Sequence, residues 1–208
     1  MAVDLAAVVA PWRTAVVTSE IQNGVIGEEA ALPILAEAAR ATMVPALARL
    51  VKAARVAGVE VVHCTFERRA DGKGANSNAR LFTGVNRSPV KLLPGTPATK
   101  VIAEVGVDPT DIVLTRTHGL NPMSGTDLDS VLRNLGVTTV IATGVSVNVA
   151  ITNLVMEGVN RGYDVVLPRD AVCGVPQGYA DAVIDNTLSL LATMTTVDEL
   201  VKVWESQA

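Results

Sequence analysis

The stretch TTVIATGVSVNVAITNLVMEGVNRGYDVVLP, residues 138–168, decides the fold class. It begins and ends with short apolar runs rich in β-branched residues, at 138–143 and 163–168, and a helical pattern at 147–161 lies between them. Two strands joined by a helix form a right-handed crossover, which places both strands parallel in one sheet. The stretch therefore predicts a βαβ unit with a polar turn at 144–150, where the first strand meets the helix.

The same alternation of strand and helix extends over the rest of the chain. Further strands are predicted at 14–19, 59–64, 111–115 and, more weakly, near 193, and further helices at 35–57, 126–135, 177–191 and 197–206. In the helix at 35–57, Pro45 either kinks the helix or marks its true start. The pattern predicts a single domain over residues 1–208, a three-layer α/β/α fold with a mainly parallel sheet of about six strands.

Composition excludes several classes of partner. The chain has 208 residues and a net charge of −4, so it offers no basic surface for a nucleic acid. No apolar run is long enough to cross a bilayer, and the N-terminus, with its early Asp4, does not resemble a secretory signal. We therefore expect a cytoplasmic protein with a small-molecule substrate, which binds neither nucleic acid nor membrane.

The cysteines and histidines give no support for a metal site. Cys64 and Cys173 lie far apart without a Cys-x-x-Cys neighbour, and we expect them to be buried thiols. His63 and His118 lack the spacing of a metal-binding pair, and no strand is followed by a glycine-rich dinucleotide loop. The sequence predicts no metal and no cofactor.

Polar residues that follow the first and third predicted strands form the candidate site, because ligands of parallel sheets bind beyond the carboxyl ends of the strands. Glu20, Gln22 and Asn23 follow the first strand, and Arg116 and His118 follow the third. A carboxylate there can act as a general acid or base, a guanidinium can hold an anion, and an imidazole can transfer a proton. A helix-capping role for Glu20 and a structural ion pair for Arg116 are the alternatives.

The turn at 144–150 and the loop at 65–80 complete the candidate site. In the turn, Val145, Ser146 and Asn148 are placed to contact a substrate through backbone N–H groups and the side-chain amide. The loop is polar and rich in glycine and asparagine, and it either closes over the site or is merely solvated. In the first case Asn76, Asn78 and Arg80 can contact the substrate.

Three segments together resemble the isochorismatase-like superfamily of cysteine hydrolases, which includes isochorismatases, nicotinamidases and N-carbamoylsarcosine amidases. The segments are AVVTSEIQN (15–23), GTDLDSVLRNLGVTTVIATGVSVNVAITN (125–153) and GYDVVLPRDAV (162–172). The resemblance covers residues 13–196. It implies a parallel sheet with helices on both sides, and an assembly that is a homodimer or a homotetramer.

The resemblance also implies where the catalytic residues lie. The Asp, Lys and Cys of the amidase members correspond to Glu20, Arg116 and Ala150, with His118 as a second candidate for the place of the lysine. The first two positions keep a carboxylate and a cation, whereas alanine cannot form a thioester. True isochorismatases also lack the cysteine. We therefore predict a hydrolase of a small polar or anionic molecule that uses acid/base chemistry on a vinyl ether or a C–N bond.

The alternative is a catalytically inactive family member. Such a protein keeps the fold and the pocket, and it binds a small ligand or acts as a structural or interaction protein.

Overall fold

A parallel sheet forms the centre of the molecule. The computed structural model describes residues 4–207, and over that range the sheet has seven strands. They are β1 (Thr14–Ser19), β2 (Glu60–Phe66), β3 (Ile112–Arg116), β4 (Thr139–Val145), β5 (Asp164–Pro168), β6 (Val172–Cys173) and β7 (Thr193–Thr195). Their order is β3–β2–β1–β4–β5–β7, β6 pairs with the end of β4, and every strand pair is parallel.

Helices cover both faces of the sheet. They are α1 (Leu5–Val8), α2 (Asn23–Ile26), α3 (Pro33–Ala41), α4 (Met43–Ala57), α5 (Arg80–Arg87), α6 (Leu128–Asn134), α7 (Thr152–Asn160), α8 (Gln177–Asn186) and α9 (Val197–Gln207). Helices α1 to α4 and α9 share one apolar core with the sheet, and α6 to α8 share another. The predicted three-layer α/β/α fold is confirmed. Within residues 4–207, no helix has the length and apolarity that a membrane span needs.

The central strand β1 shows why apolar residues follow one another directly in its sequence, TAVVTS. All six of its residues are buried, because Val16 faces one core while Ala15 and Val17 face the other. A strand covered on both faces has no solvent side, so apolar residues occupy successive positions. The prediction for 14–19 matches the observed strand.

The predicted helix at 35–57 is two helices. The chain breaks at Thr42, whose φ of −128° and ψ of −56° lie outside helical values, and α4 begins at Met43. Pro45 then lies in the first turn of α4, where a missing N–H removes no helical hydrogen bond. Of the two roles considered for Pro45, it therefore marks the true start of a helix.

The predicted helices at 147–161 and 177–191 are also composite. The first opens with a π-helical turn, Val147–Ile151, before α7 begins, and the second ends as a 3₁₀ turn at Leu188–Leu190. Helix α5 was not predicted, because its eight residues are shorter than the stretch over which a helical pattern can be read, and none of them is buried in the core.

The strand order creates a topological switch point between β1 and β4. From β1 the chain builds outward through β2 to β3, and from β4 it builds in the opposite direction. Crossovers diverge at such a point and leave a crevice beyond the carboxyl ends of the two strands. Ser19 of β1 is in register with Gly144 of β4, so the residues that follow both strands line this crevice.

Candidate active site

Glu20 occupies a strained backbone position directly after β1. Its φ is +53°, in the left-handed region that non-glycine residues seldom adopt. Its N–H still donates to the carbonyl of Cys64, at 2.9 Å, so the residue is fixed at the end of the β1–β2 ladder. Backbone strain of this kind persists where the surrounding structure holds it, and it is common at functional sites.

Arg116 is the partner of Glu20. It is the last residue of β3, its side chain is 6% exposed, and it forms an ion pair with the Glu20 carboxylate. The guanidinium carbon lies 5.1 Å from the centroid of the Phe66 ring, which supports its position from the neighbouring strand. Its Nη1 atom is buried and has no hydrogen-bond partner among residues 4–207. An unused donor of a buried cation can bind a ligand oxygen.

The turn after β4 lies against the turn after β1. Gly144 has a φ of +99°, and a Cβ there would lie 2.3 Å from the carbonyl oxygen of Ser19, so only glycine allows this approach. The chain then runs through Ser146 into the π-helical turn that contains the buried Ala150. This turn brings residue 150 to the same crevice as the Glu20–Arg116 pair.

These residues form the floor of a mainly apolar cleft of about 110 Å³. Its polar and charged members are Glu20, Arg68, Asn76, Asn86, Arg116, His118 and Ser146. Its larger apolar members are Val25, Leu32, Leu35, Phe66, Leu81, Phe82, Val85, Leu92, Leu120, Val145 and Val149. A mainly apolar cleft with a few convergent polar groups is the usual form of a small-molecule site.

Six of the nine residues singled out in the sequence line this cleft. They are Glu20, Arg116, His118, Val145, Ser146 and Ala150. The chain brings them together from the ends of β1, β3 and β4, as the rule for parallel sheets predicts.

Gln22 and Asn23 do not line the cleft. Gln22 is fully buried, and its amide donates to the carbonyls of Phe66 and Thr99 at 2.8 and 2.9 Å and accepts from the Phe66 N–H at 2.8 Å. Asn23 donates to the carbonyl of Pro97 at 3.0 Å. Both amides hold loops to the end of β1, so a structural role takes the place of the predicted substrate contact.

Asn148 also lies outside the cleft. Its amide donates to the carbonyl of Val175 at 2.8 Å, and a Cβ added at Gly174 would lie 2.3 Å from its Oδ1. The side chain therefore points toward the segment after β6, and the predicted contact with a substrate oxygen is wrong.

The loop before α5 contributes one of its three candidates. Asn76 lines the cleft, and its Oδ1 accepts the N–H of Gly119 at 2.8 Å, which ties the loop to the segment after β3. Asn78 and Arg80 are exposed and lie outside the lining.

The sequence did not predict three parts of the cleft lining, which are Phe66, Arg68 and the apolar side of α5. Phe66 and Arg68 stand two residues apart at the end of a strand, and that spacing was the available signal, because alternate residues of an extended chain share a face.

The family model described as the isochorismatase domain matches residues 14–199. This chain belongs to the isochorismatase family. A ureidoacrylate amidohydrolase, RutB, of Methylorubrum extorquens is 32% identical over 140 residues, a match that covers 60% of this chain and 54% of that protein. The chain thus spans about half the length of this curated relative.

Solved structures of family members have the same fold. A cysteine hydrolase from Pseudomonas syringae is 25% identical, with a TM-score of 0.80 and 95% of each chain covered. An isochorismatase family protein from Burkholderia thailandensis is 25% identical, with a TM-score of 0.77 and coverage of 93% of this chain and 96% of that one. An N-carbamoylsarcosine amidase from Thermoplasma acidophilum, at 21% identity and a TM-score of 0.69, covers 89% of this chain and 97% of its own and agrees in fold.

In this isochorismatase-family chain, the described residues that line the cleft include no cysteine. Burial raises the pKa of the Cys64 thiol to about 12, and burial also raises the pKa of Cys173. Both are free thiols in apolar surroundings, so the prediction that they are buried is confirmed. A buried thiol with a raised pKa is a poor nucleophile. Residues 4–207 also contain no group of three or more side chains placed to hold a metal ion.

Proposed function

We propose that this chain hydrolyses a small polar or anionic molecule without a cysteine nucleophile. The observation that carries the proposal is the Glu20–Arg116 ion pair at the floor of an apolar cleft, beside an alanine at position 150. A carboxylate and a cation can serve hydrolysis by water, whereas an alanine methyl cannot form a covalent intermediate.

For a C–N bond, the proposed reaction begins with water. Glu20 accepts a proton from the water while the water oxygen bonds to the substrate carbonyl carbon. The negative charge that develops on the carbonyl oxygen is stabilised by the positive charge of Arg116, which lines the cleft. Glu20 then returns the proton to the leaving nitrogen as the C–N bond breaks, giving an acid and an amine.

Two bond types fit this arrangement. A vinyl ether needs a proton donor near the reacting carbon and a water, and Glu20 can supply the proton in its acid form. The relative named as a ureidoacrylate amidohydrolase favours the C–N bond. His118 also lines the cleft, so it can orient the polar end of either substrate.

A binding protein is the second candidate function. The observation in its favour is Ala150, which the family resemblance aligns with the catalytic cysteine of the amidase members. A family member without that nucleophile can also be one that has lost its catalytic activity. Such a protein binds a ligand in the cleft and releases it unchanged.

The test is a hydrolysis screen of the purified chain with amides, carbamoyl compounds and enol ethers. We expect turnover that persists in a Cys64→Ala, Cys173→Ala double variant and disappears in Glu20→Gln. Glu37→Gln, an exposed glutamate of α3, is the matched control and keeps full activity. The single variants Cys64→Ser and Cys173→Ser are the second measurement, in case the double variant fails to fold.

Two results would reject the proposal. Turnover by Glu20→Gln at the wild-type rate removes the acid/base role. Thermal stabilisation by the same compounds without any turnover supports the binding protein instead.

A further inference from the structure

A second cation, Arg68, faces the cleft without a counter-ion. Among residues 4–207 its guanidinium forms no ion pair, whereas Arg116 is paired with Glu20. Glu20 is the single acid among the described residues that line the cleft. The cleft therefore carries one uncompensated positive charge, and that charge lies on Arg68.

The backbone directs Arg68 into the cleft. Glu67 N–H donates to the Arg116 carbonyl at 3.0 Å, and Arg68 N–H donates to the Leu92 carbonyl at 2.8 Å, so the chain stays extended beyond β2. Alternate residues of an extended chain share a face. Phe66 and Arg68 line the cleft, whereas Glu67 lines a separate hollow on the opposite side. Glu67, the neighbour of Arg68 along the chain, is thus turned away from it.

The nearest aspartate along the chain is already occupied. Asp71 accepts two hydrogen bonds from Arg69, at 3.0 and 2.7 Å, and a third from the Lys73 N–H at 3.0 Å. The Arg68 guanidinium lies beside Gly72, where a Cβ would approach its Nη2 to 2.5 Å. Among residues 4–207, the Arg68 guanidinium therefore has no carboxylate partner.

Apart from its few polar and charged members, the lining of the cleft is apolar. Helix α5 contributes Leu81, Phe82 and Val85, and Leu35 and Leu92 line the same cleft. An apolar wall favours a ligand whose middle part is a hydrocarbon chain or ring, because burial of that part is favourable and no polar partner is left unpaired.

We propose that Arg68 determines specificity by binding the carboxylate of an amphipathic substrate whose body is apolar. This inference rests on the proposed use of the cleft, with the scissile bond at Glu20 and Arg116 and the carboxylate at Arg68. A single free guanidinium matches one negative charge, and its planar fork suits a carboxylate.

The test measures binding by calorimetry, so that it does not depend on turnover. The probes are phenylacetate and its neutral analogue benzyl methyl ketone. We expect the wild-type chain to bind the acid about tenfold more tightly, as for one partly buried charge pair. Arg68→Gln removes this preference and Arg68→Lys keeps part of it. Arg87→Gln, which removes an exposed cation outside the lining of the cleft, leaves the preference unchanged.

The inference is overturned if the wild-type chain binds neither probe, binds both equally, or keeps its preference for the acid in Arg68→Gln. Hydrolysis is measured separately. A preference for the acid that depends on Arg68, found in a chain that hydrolyses nothing, supports this inference and rejects the proposed function.

Discussion

Replacing Gly144 by alanine tests the close approach of β1 and β4 next to the site. Two effects lower the stability of this variant. The φ of +99° lies outside the range that alanine prefers, and the added Cβ would lie 2.3 Å from the Ser19 carbonyl oxygen, about 1.1 Å short of the 3.4 Å where ordinary contact begins. Left-handed backbone costs alanine about 1–2 kcal/mol. The clash is with the backbone of a central strand that cannot rotate away, so we expect a total of about 3–5 kcal/mol.

The assay is urea unfolding of Gly144→Ala beside Gly58→Ala. Gly58 has a φ of +73°, but a Cβ there meets nothing within 4 Å, so that variant reports the backbone cost alone. We expect the free energy of unfolding to fall by about 1–2 kcal/mol in the control and by at least twice as much in Gly144→Ala. Equal losses in the two variants would refute the close approach.

Three further predictions concern pH, a buried amide and assembly. Burial lowers the pKa of His63 below its usual 6.5, so at low pH the unfolded chain binds more protons than the folded chain. The free energy of unfolding therefore decreases as the pH drops below about 6.5, and it decreases less steeply in His63→Gln. The slope is measured by denaturant unfolding at several pH values. Gln22→Ala leaves the Phe66 N–H without its partner, so we expect the free energy of unfolding to fall by about 2–4 kcal/mol. If Gln22 contacted the substrate instead, the same variant would change KM and leave the stability unchanged. Light scattering should find a homodimer or a homotetramer, and a monomer at micromolar concentration contradicts that prediction.

The sequence predicts the layers of this fold well because burial determines them. In the strand at 14–19, apolar residues occupy the successive positions 15–17 because both faces of the strand are covered. In the helix at 128–134, the spacing of the apolar residues matches the side that buries Leu128 and Leu132. Helix α5 has an apolar side, but it is only eight residues long and packs no residue into the interior, so its pattern is too short to predict a helix.

The candidate site could be predicted only in part. Position after a strand places a residue at the correct edge of the sheet, which was sufficient for Glu20 and Arg116. It does not give the direction of a side chain. Gln22 faces the carbonyls of Phe66 and Thr99, which are 44 and 77 residues away along the chain, and no local pattern contains that information.

The exposure of α5 has a consequence for the way this cleft fills. The helix buries none of its own residues, yet it supplies Leu81, Phe82 and Val85 to the cleft wall. An apolar ligand bound in the cleft would bury those side chains further. We therefore expect the amides of residues 80–87 to exchange hydrogen rapidly in the free protein and more slowly with ligand present, so that occupancy of the cleft and order of the helix rise together.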